Sequence, residues 1–366
     1  MSAMKRRDFM ETAGKAGLGL AASVPLAGSR AARAGERGGK VRIGQIGTGH
    51  AHASGKMATL RKLDEYFEVV GIVEPDAQRR EAAANHPAYK GLAWMTEEEL
   101  LGAEGLQAVA VETAVRDLVP TGLRCVSAGM HIHLDKPAGE SLSAFKTLLD
   151  EATRRSVTVQ MGYMFRNNPA FEFCFRAVRE GWLGEVFEVH GVMSKAVGAA
   201  TRKELAEYAG GSVFELGCHL IDPLVTVLGK PDRVTAYVRR TRPEQDDLAD
   251  NQLAVFEYPK ATATIRSALI EVEGGQRRQF VVCGDRGTVD IRPLEPPRLL
   301  LALAEARGDY RRGYQEVELP QMPGRYDGQL IDLARIVRGE SESEYPPSHD
   351  LAAHEAILRA SGLEPI

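Results

Sequence analysis

The segment Val41-Arg42-Ile43-Gly44-Gln45-Ile46-Gly47-Thr48-Gly49 decides the fold. Its first six residues are a short, β-branched run bounded by glycines, the pattern of a buried strand. A glycine turn follows at once, and a helix-competent stretch runs from Ala53 to Leu63. Strand, glycine turn, helix is the order in which a dinucleotide-binding fold begins. The glycines let the backbone approach a pyrophosphate, and the helix N-terminus offers it unpaired N–H donors. In G-x-G-x-x-G/A the third small residue would fall at position 52, which is His52. The loop alone is therefore an incomplete motif.

Downstream, Phe67-Glu68-Val69-Val70-Gly71-Ile72-Val73 reads as a second strand ending in Glu74, 27 residues after Gly47. A carboxylate at that place accepts hydrogen bonds from the adenosine ribose and repels a 2′-phosphate, which favours NAD over NADP. The alternative is that Glu74 merely opens a turn before Pro75. Strand and helix then keep alternating. Thr96 caps a short acidic helix from Glu97 to Leu101. Leu106 to Val111 is a strand, Val119 to Ala128 a helix, His131 to Leu134 a strand, Ser143 to Arg155 a helix and Val157 to Met161 a strand. The expected fold class is α/β, beginning with a doubly wound parallel sheet.

In such sheets ligands bind beyond the carboxyl ends of the strands. Asp135-Lys136-Pro137 stands at one of those ends. Pro137 biases Lys136 to an extended backbone. A lysine there reaches toward a nicotinamide and a substrate hydroxyl; taken alone, it is equally a surface lysine before a turn. Farther on, Glu215, His219 and Asp222 stand at i, i+4 and i+7, on one helical face. An acid one turn from a histidine orients the ring and raises its basicity, which suits proton removal from an alcohol. The alternative makes His219 a satisfied core residue and Asp222 a cap before Pro223. Arg166 and Asn167 become candidate substrate contacts because they leave the first domain near the crevice.

Composition bounds the rest. The 366 residues suffice for two domains, and 44% hydrophobic with 26% charged residues fits a globular enzyme. A net charge of −4, with no basic stripe beyond residue 40, argues against nucleic acid. Cys125, Cys174, Cys218 and Cys283 make no CxxC pair, so no zinc knuckle or redox dithiol is expected. Two histidine pairs, His50/His52 and His131/His133, invite a metal reading. His131 opens its strand at the end away from the crevice, so the pairs should not meet and no metal is expected. His50 is instead expected over the pyrophosphate or nicotinamide.

Residues 1–34 read as an address. Lys5-Arg6-Arg7-Asp8-Phe9-Met10 resembles a twin-arginine motif, a weakly apolar stretch runs from Ala16 to Gly28, and Ala32-Arg33-Ala34 offers a cleavage site. The apolar run is about half of the ~20 residues a membrane span needs. No stable span is expected. The alternative is a frayed basic tail on a cytoplasmic enzyme. The expectation is a periplasmic protein carried folded, with its cofactor, by the twin-arginine machinery.

These segments together resemble the glucose–fructose oxidoreductase / inositol dehydrogenase / MocA family over residues 40–362. Its Glu-Lys-Pro motif is matched by Asp135-Lys136-Pro137. Its Gly-Gly…Asp-x-Gly-x-His-x-x-Asp segment is matched by Gly210-Gly211…Glu215-Leu216-Gly217-Cys218-His219-Leu220-Ile221-Asp222. Tyr163 to Pro169 is similar to the segment that leaves the dinucleotide domain, and Cys283 to Val289 to a late Gly-x-x-Gly hairpin. The resemblance implies an NAD(P)-binding domain over 40–160 and a C-terminal α/β domain over 161–366. That second domain would carry an open, largely antiparallel sheet with strands at Val186–Val192, Val234–Arg239, Leu253–Glu257, Ala261–Ile270 and Phe280–Cys283. It would bind substrate and pair the chain into a homodimer or homotetramer. By the same resemblance Lys136, His219 and Glu215 are catalytic. Gly47, Thr48, Gly49, His50, Glu74, Thr113, Asp135 and Lys136 are expected to hold the cofactor, and Arg166 and Asn167, by their place near the crevice, with Glu215, His219 and Asp222, to meet the substrate. Glu215 replaces an aspartate, Asp135 a glutamate, His52 a small residue, and Ala114 follows Thr113 where a proline is usual.

The activity implied is hydride transfer between nicotinamide and a secondary hydroxyl of a sugar, polyol or glycoside. Two other functions compete. One is a redox-neutral glycosidase or lyase that forms a transient keto-sugar with tightly held NAD. The other is a sugar- or cofactor-binding protein without catalysis, against which Lys136 and His219 together argue.

Overall fold

The computed structural model describes residues 38–322 and 324–366. The twin-arginine motif, the apolar run after it and the Ala32-Arg33-Ala34 site lie outside the described residues.

The opening run forms strand β1 (Val41–Ile46), followed by α1 (Ala53–Lys62) and β2 (Phe67–Val73). Next come α2 (Ala77–Ala84), α3 (Glu97–Leu101), β3 (Ala108–Val111), α4 (Val115–Ser127), β4 (His131–Leu134), α5 (Leu142–Arg155) and β5 (Val159–Met161). Local chemistry sets several boundaries. Thr96 and Glu99 form a reciprocal capping box on α3, while Asp76 and Ser141 cap α2 and α5. All four residues of β3 are buried, as expected for a parallel strand covered on both faces. The five strands make one parallel sheet in the order β2-β1-β3-β4-β5. Strand order reverses between β1 and β3, so the ligand crevice of this sheet opens beyond their carboxyl ends.

The second sheet is reached through α6 (Pro169–Arg179), which Asn168 caps and Pro169 starts. It contains β6 (Val186–Val192) and, after α7 (Ala199–Leu205) and α8 (Cys218–Leu228), β7 (Arg233–Arg239), β8 (Asn251–Glu257) and β9 (Thr262–Ala268). β10 (Gln279–Gly284), β11 (Gly287–Leu294), β12 (Pro297–Leu303) and β13 (Gly313–Val317) complete it. The order is β13-β12-β11-β10-β6-β9-β8-β7, antiparallel except for the β6–β9 pair. Five of these strands stand where the resemblance implies. β11, β12 and β13 extend the sheet beyond them, the first through the hairpin at Cys283 to Val289.

Two last helices, α9 (Asp327–Val337) and α10 (Pro347–Ala360), close the chain. Leu330, Leu333, Ala334 and Val337 of α9 pack with Val41, Ile43, Leu60, Phe67, Ala108 and Ala110 in one buried cluster. The parallel sheet therefore has α1 and α9 on one face. Leu118, Phe145 and Leu148 of α4 and α5 join the core that covers the other.

Candidate active site and cofactor crevice

The glycine turn is shaped by its neighbours. Gly47 has φ +94°, and a Cβ there would stand 2.6 Å from the backbone N of Thr113. The loop thus lies directly against the carboxyl end of β3, where only glycine fits. Thr48 donates to Glu74 Oε2 twice, from its backbone N at 2.7 Å and from its hydroxyl at 2.7 Å. Glu74 Oε1 accepts from the N–H of Asp76 at 3.1 Å. The carboxylate expected to meet a ribose therefore also pins the loop. A Cβ on Gly49 would come within 2.8 Å of the Arg79 guanidinium, an exposed cation beside the turn. A dinucleotide fits these residues: the turn is open at Gly49, Arg79 offers positive charge to a pyrophosphate, and Glu74 stands at the adenosine ribose end.

At the other end of the crevice, Lys136 is buried and its peptide bond to Pro137 is cis. Its Nζ donates to the backbone carbonyl of Glu215 at 2.7 Å and stands 3.6 Å from Glu215 Oε1. Burial works against the ammonium, but Glu215 and the other acidic groups around it, Asp135 among them, together outweigh it and hold Lys136 above the ordinary lysine value. Burial likewise acts to raise Glu215, but Lys136 together with His50, Lys195 and His52 prevails and holds it below the usual carboxylate range. Burial, then the charge of Lys136, pushes His219 well below the ordinary histidine value, so its ring is neutral. Its Nδ1 is buried and has no hydrogen-bond partner among the described residues.

The expected single face of Glu215, His219 and Asp222 is corrected here. Val213–Gly217 forms a π-helical turn before α8, and this wider turn changes the register between Glu215 and His219. Glu215 engages Lys136 instead of orienting His219, and the basicity of His219 is lowered rather than raised. Asp222 faces away from that pair. Arg166 donates to its Oδ1 at 2.6 Å, and His349 Nε2 lies 3.2 Å from the same oxygen. The Arg166 guanidinium also reaches Asp350 at 2.5 Å and stacks 3.9 Å from the ring centroid of Tyr345. Arg166 and Asp222 form a buried brace between α8, α10 and the segment before α6. The Asn167 side chain packs on Gly328 of α9, where an added Cβ would lie 2.7 Å from its own.

Thr113 is buried, with its hydroxyl donating to the Ala114 carbonyl at 3.2 Å. Asp135 has no exposed surface, and its carboxylate is enclosed by His50 at 3.0 Å, His52 at 3.2 Å and Lys56 at 3.6 Å. Any group approaching from the crevice would meet these histidines before Asp135, whose side chain is fully covered.

Sequence reasoning missed the group beneath this cover. Lys56 is fully buried on α1, in contact with His133 Nε2, 3.6 Å from Glu112 Oε1 and 5.0 Å from the ring centroid of Tyr326. Burial, then the charge of Asp135, raises Glu112 well above the usual carboxylate range. The signal for Lys56 was present, because Ala53, Lys56, Met57 and Leu60 are one i, i+3, i+4, i+7 stripe that is otherwise apolar. The two histidine pairs make no hydrogen bond with each other, as expected, but Lys56 lies between them. His131 stays at the far end, accepting from Thr158 N at 3.1 Å, while His133 approaches the first pair through Lys56.

Fold and site together define a dinucleotide-binding α/β oxidoreductase with a second, sheet-based domain. Residues 41–163 match the family model for the oxidoreductase family with an NAD-binding Rossmann fold, and residues 173–290 match that for the GFO/IDH/MocA C-terminal domain. The chain belongs to the Gfo/Idh/MocA oxidoreductase family.

Relatives agree. An uncharacterized oxidoreductase, ORF334 of Rhizobium meliloti, is 29% identical over 198 residues, which are 54% of this chain and 59% of that protein. The chain thus spans less than two thirds of that relative. Inositol 2-dehydrogenase 1 of Saccharopolyspora erythraea is 25% identical over 331 residues, 87% of this chain and 94% of that one. The solved aldose-aldose oxidoreductase of Caulobacter crescentus, complexed with glycerol, shares the fold with a TM-score of 0.74. It is 19% identical, with 88% of this chain and 98% of that one covered.

Proposed function

We propose that the protein transfers a hydride between a nicotinamide dinucleotide, NAD in preference to NADP, and a secondary hydroxyl of a sugar, polyol or glycoside. The observation that carries this reading is the orphaned, buried Nδ1 of His219 in the electrostatic field of Lys136. A bound dinucleotide supplies the hydride acceptor. The neutral His219 ring takes the hydroxyl proton. Lys136, held cationic by Glu215, stabilises the oxygen as its charge grows. Glu215 acts by fixing Lys136. Arg166 and Asp222 are left out of the substrate contacts because they spend their charges on each other and on Asp350. Asn167 is left out because it packs on Gly328. Glu74 supports NAD, since a carboxylate at the end of β2 repels a 2′-phosphate. The names of the inositol and aldose enzymes support the substrate class.

The reading extends to residues 1–34 as a twin-arginine export signal and to a periplasmic enzyme, on the strength of Arg6-Arg7 and Ala32-Arg33-Ala34. It assigns cofactor binding to 40–160, and substrate binding and pairing into a homodimer or homotetramer to 161–366. Exposed Phe187, Tyr237 and Tyr314 on the second sheet support the pairing. Cell fractionation and sedimentation test these two points.

The deciding assay incubates the purified protein with NAD and a panel of sugars, polyols and glycosides and follows absorbance at about 340 nm. A rise with at least one substrate is expected. If none changes the cofactor's redox state, the reading is wrong. Glycoside cleavage without net NADH would replace it with the redox-neutral alternative.

A further inference from the structure

Two clusters among the described residues bring three metal-ligating side chains to one point: Asp222, His349 and Asp350, and His50, His52 and Asp135. In the first the place is taken. The Arg166 guanidinium lies 2.6 Å from Asp222 and 2.5 Å from Asp350, and it satisfies both charges. In the second no cation is so close. The nearest ammonium, Lys56 Nζ, stands 3.6 Å from Asp135 Oδ2 and equally 3.6 Å from Glu112.

The hydrogen positions of His50 follow from its partners. Its Nε2 faces the carbonyl oxygen of Lys136 at 3.1 Å, and a carbonyl only accepts, so Nε2 carries the hydrogen. In the neutral ring Nδ1 is then a lone pair; it accepts from the His52 backbone N–H at 3.3 Å and stands 3.0 Å from Asp135 Oδ2. A lone pair and a carboxylate oxygen at that distance repel unless a proton or a metal ion lies between them. His52 Nδ1 converges on the same oxygen at 3.2 Å. In a tetrahedral site with bonds of about 2.0–2.1 Å the ligand atoms stand about 3.3 Å apart. Both distances are near that edge. An outer shell is also present. Lys136 N–H donates to Asp135 Oδ1 at 2.7 Å, and His50 Nε2–H donates to a backbone carbonyl, the partners that orient ligands in metal sites.

We propose that His50 Nδ1, His52 Nδ1 and Asp135 Oδ2 bind a divalent transition ion of the zinc class, leaving a fourth position for water or a substrate oxygen. Two imidazoles and one carboxylate are the donor set such an ion takes when a position stays open. The site adjoins Lys136, and the His52 and His219 ring centroids are 6.1 Å apart. An ion there would polarise the oxygen whose proton His219 removes. The role in catalysis rests on the proposed function; the binding does not.

The test is metal binding to the full chain, purified without a histidine tag, stripped with a chelator and titrated with Co²⁺ and Zn²⁺. Expected results are about one equivalent bound, the visible absorption of tetrahedral Co²⁺, and a melting temperature that rises with the ion. His50→Gln and His52→Asn should each weaken binding by more than about 100-fold, while His349→Asn leaves it unchanged. Binding weaker than about 100 μM, or binding equal in wild type and both variants, overturns the proposal. It would mean that a proton alone bridges His50 and Asp135. Should the variants not fold, the wild-type melt decides: no shift with either ion overturns it. No enzymatic readout enters, so failure here is distinct from failure of the dehydrogenase reading.

Discussion

Lys136 Nζ donates to the backbone carbonyl of Glu215 at 2.7 Å and lies 3.6 Å from that residue's carboxylate. One residue thus holds the lysine through two of its oxygens, across 79 positions of chain. Removing the ammonium should abolish most activity without unfolding the protein. Lys136→Met is expected to lower kcat/KM by about 10²–10⁴-fold. Steady-state kinetics beside a thermal melt checks this, and a variant with full activity would refute the assignment.

Glu215 positions the lysine, so charge and length at 215 separate. Glu215→Asp keeps the charge on a shorter arm and should reduce kcat less than Glu215→Gln, which loses it. The backbone carbonyl contact persists in both. Equal losses in the two variants would show that the carboxylate is not what matters.

Arg166 braces Asp222 and Asp350 in the interior. Arg166→Met strips Asp350 of its cation and leaves Asp222 with His349 alone, at a cost of about 3–5 kcal/mol. Urea denaturation should show that loss. Arg166→Lys should recover little of it, because an ammonium cannot reproduce the forked contacts. A normal stability with a raised KM for the sugar would return Arg166 to the substrate pocket.

His354 on α10 is buried against the ring of Phe145, 5.1 Å between centroids, and burial lowers its pKa from 6.5 to about 4. The unfolded chain binds this proton below pH 6.5, while the folded chain resists it down to about pH 4. The native state is therefore favoured fully above pH 6.5 and loses this contribution as pH falls from 6.5 to 4. One histidine shifted so far is worth on the order of 3 kcal/mol at most. Denaturation curves at pH 7 and pH 4.5 should differ less in His354→Leu than in wild type. Parallel pH slopes would rule His354 out.

Gly47 and Gly49 should respond differently to alanine. At Gly47 the positive φ and the Thr113 backbone both resist a side chain, and strain of about 1–3 kcal/mol is expected in the melt. At Gly49 the obstacle is the flexible end of Arg79, so stability should change little while NAD binding weakens. Calorimetric titration with NAD separates the two effects.

The parallel sheet was legible because four of its five strands are short apolar runs closed by a chemically distinctive end: Gly47, Glu74, Glu112, Asp135. A place at a strand's carboxyl end singled out Lys136, and helical spacing singled out His219. It could not show that residues 213–217 open into a π turn, since a side-chain pattern at i, i+4, i+7 does not record the backbone's pitch. Arg166 was misplaced for a related reason. Its partners Asp222 and Asp350 are 56 and 184 residues away. The buried Lys56 broke an apolar stripe visibly, but its partners His133 and Glu112 come from two other strands. The long-range pairing of charges is written in the fold.

Helix α9 gives the parallel sheet one of its two covers, from residues nearly three hundred positions after β1. Leu330, Leu333 and Val337 are worth roughly 1.5–3 kcal/mol apiece when buried, against a total stability of about 5–15 kcal/mol for an ordinary domain. A nascent chain that has emerged only through β5 covers Val41, Ile43 and Ala108 with α1 but lacks α9. The nucleotide-binding half therefore gains its full cover only when residues 327–337 have emerged. Translation must all but finish before the parallel sheet has both of its covers.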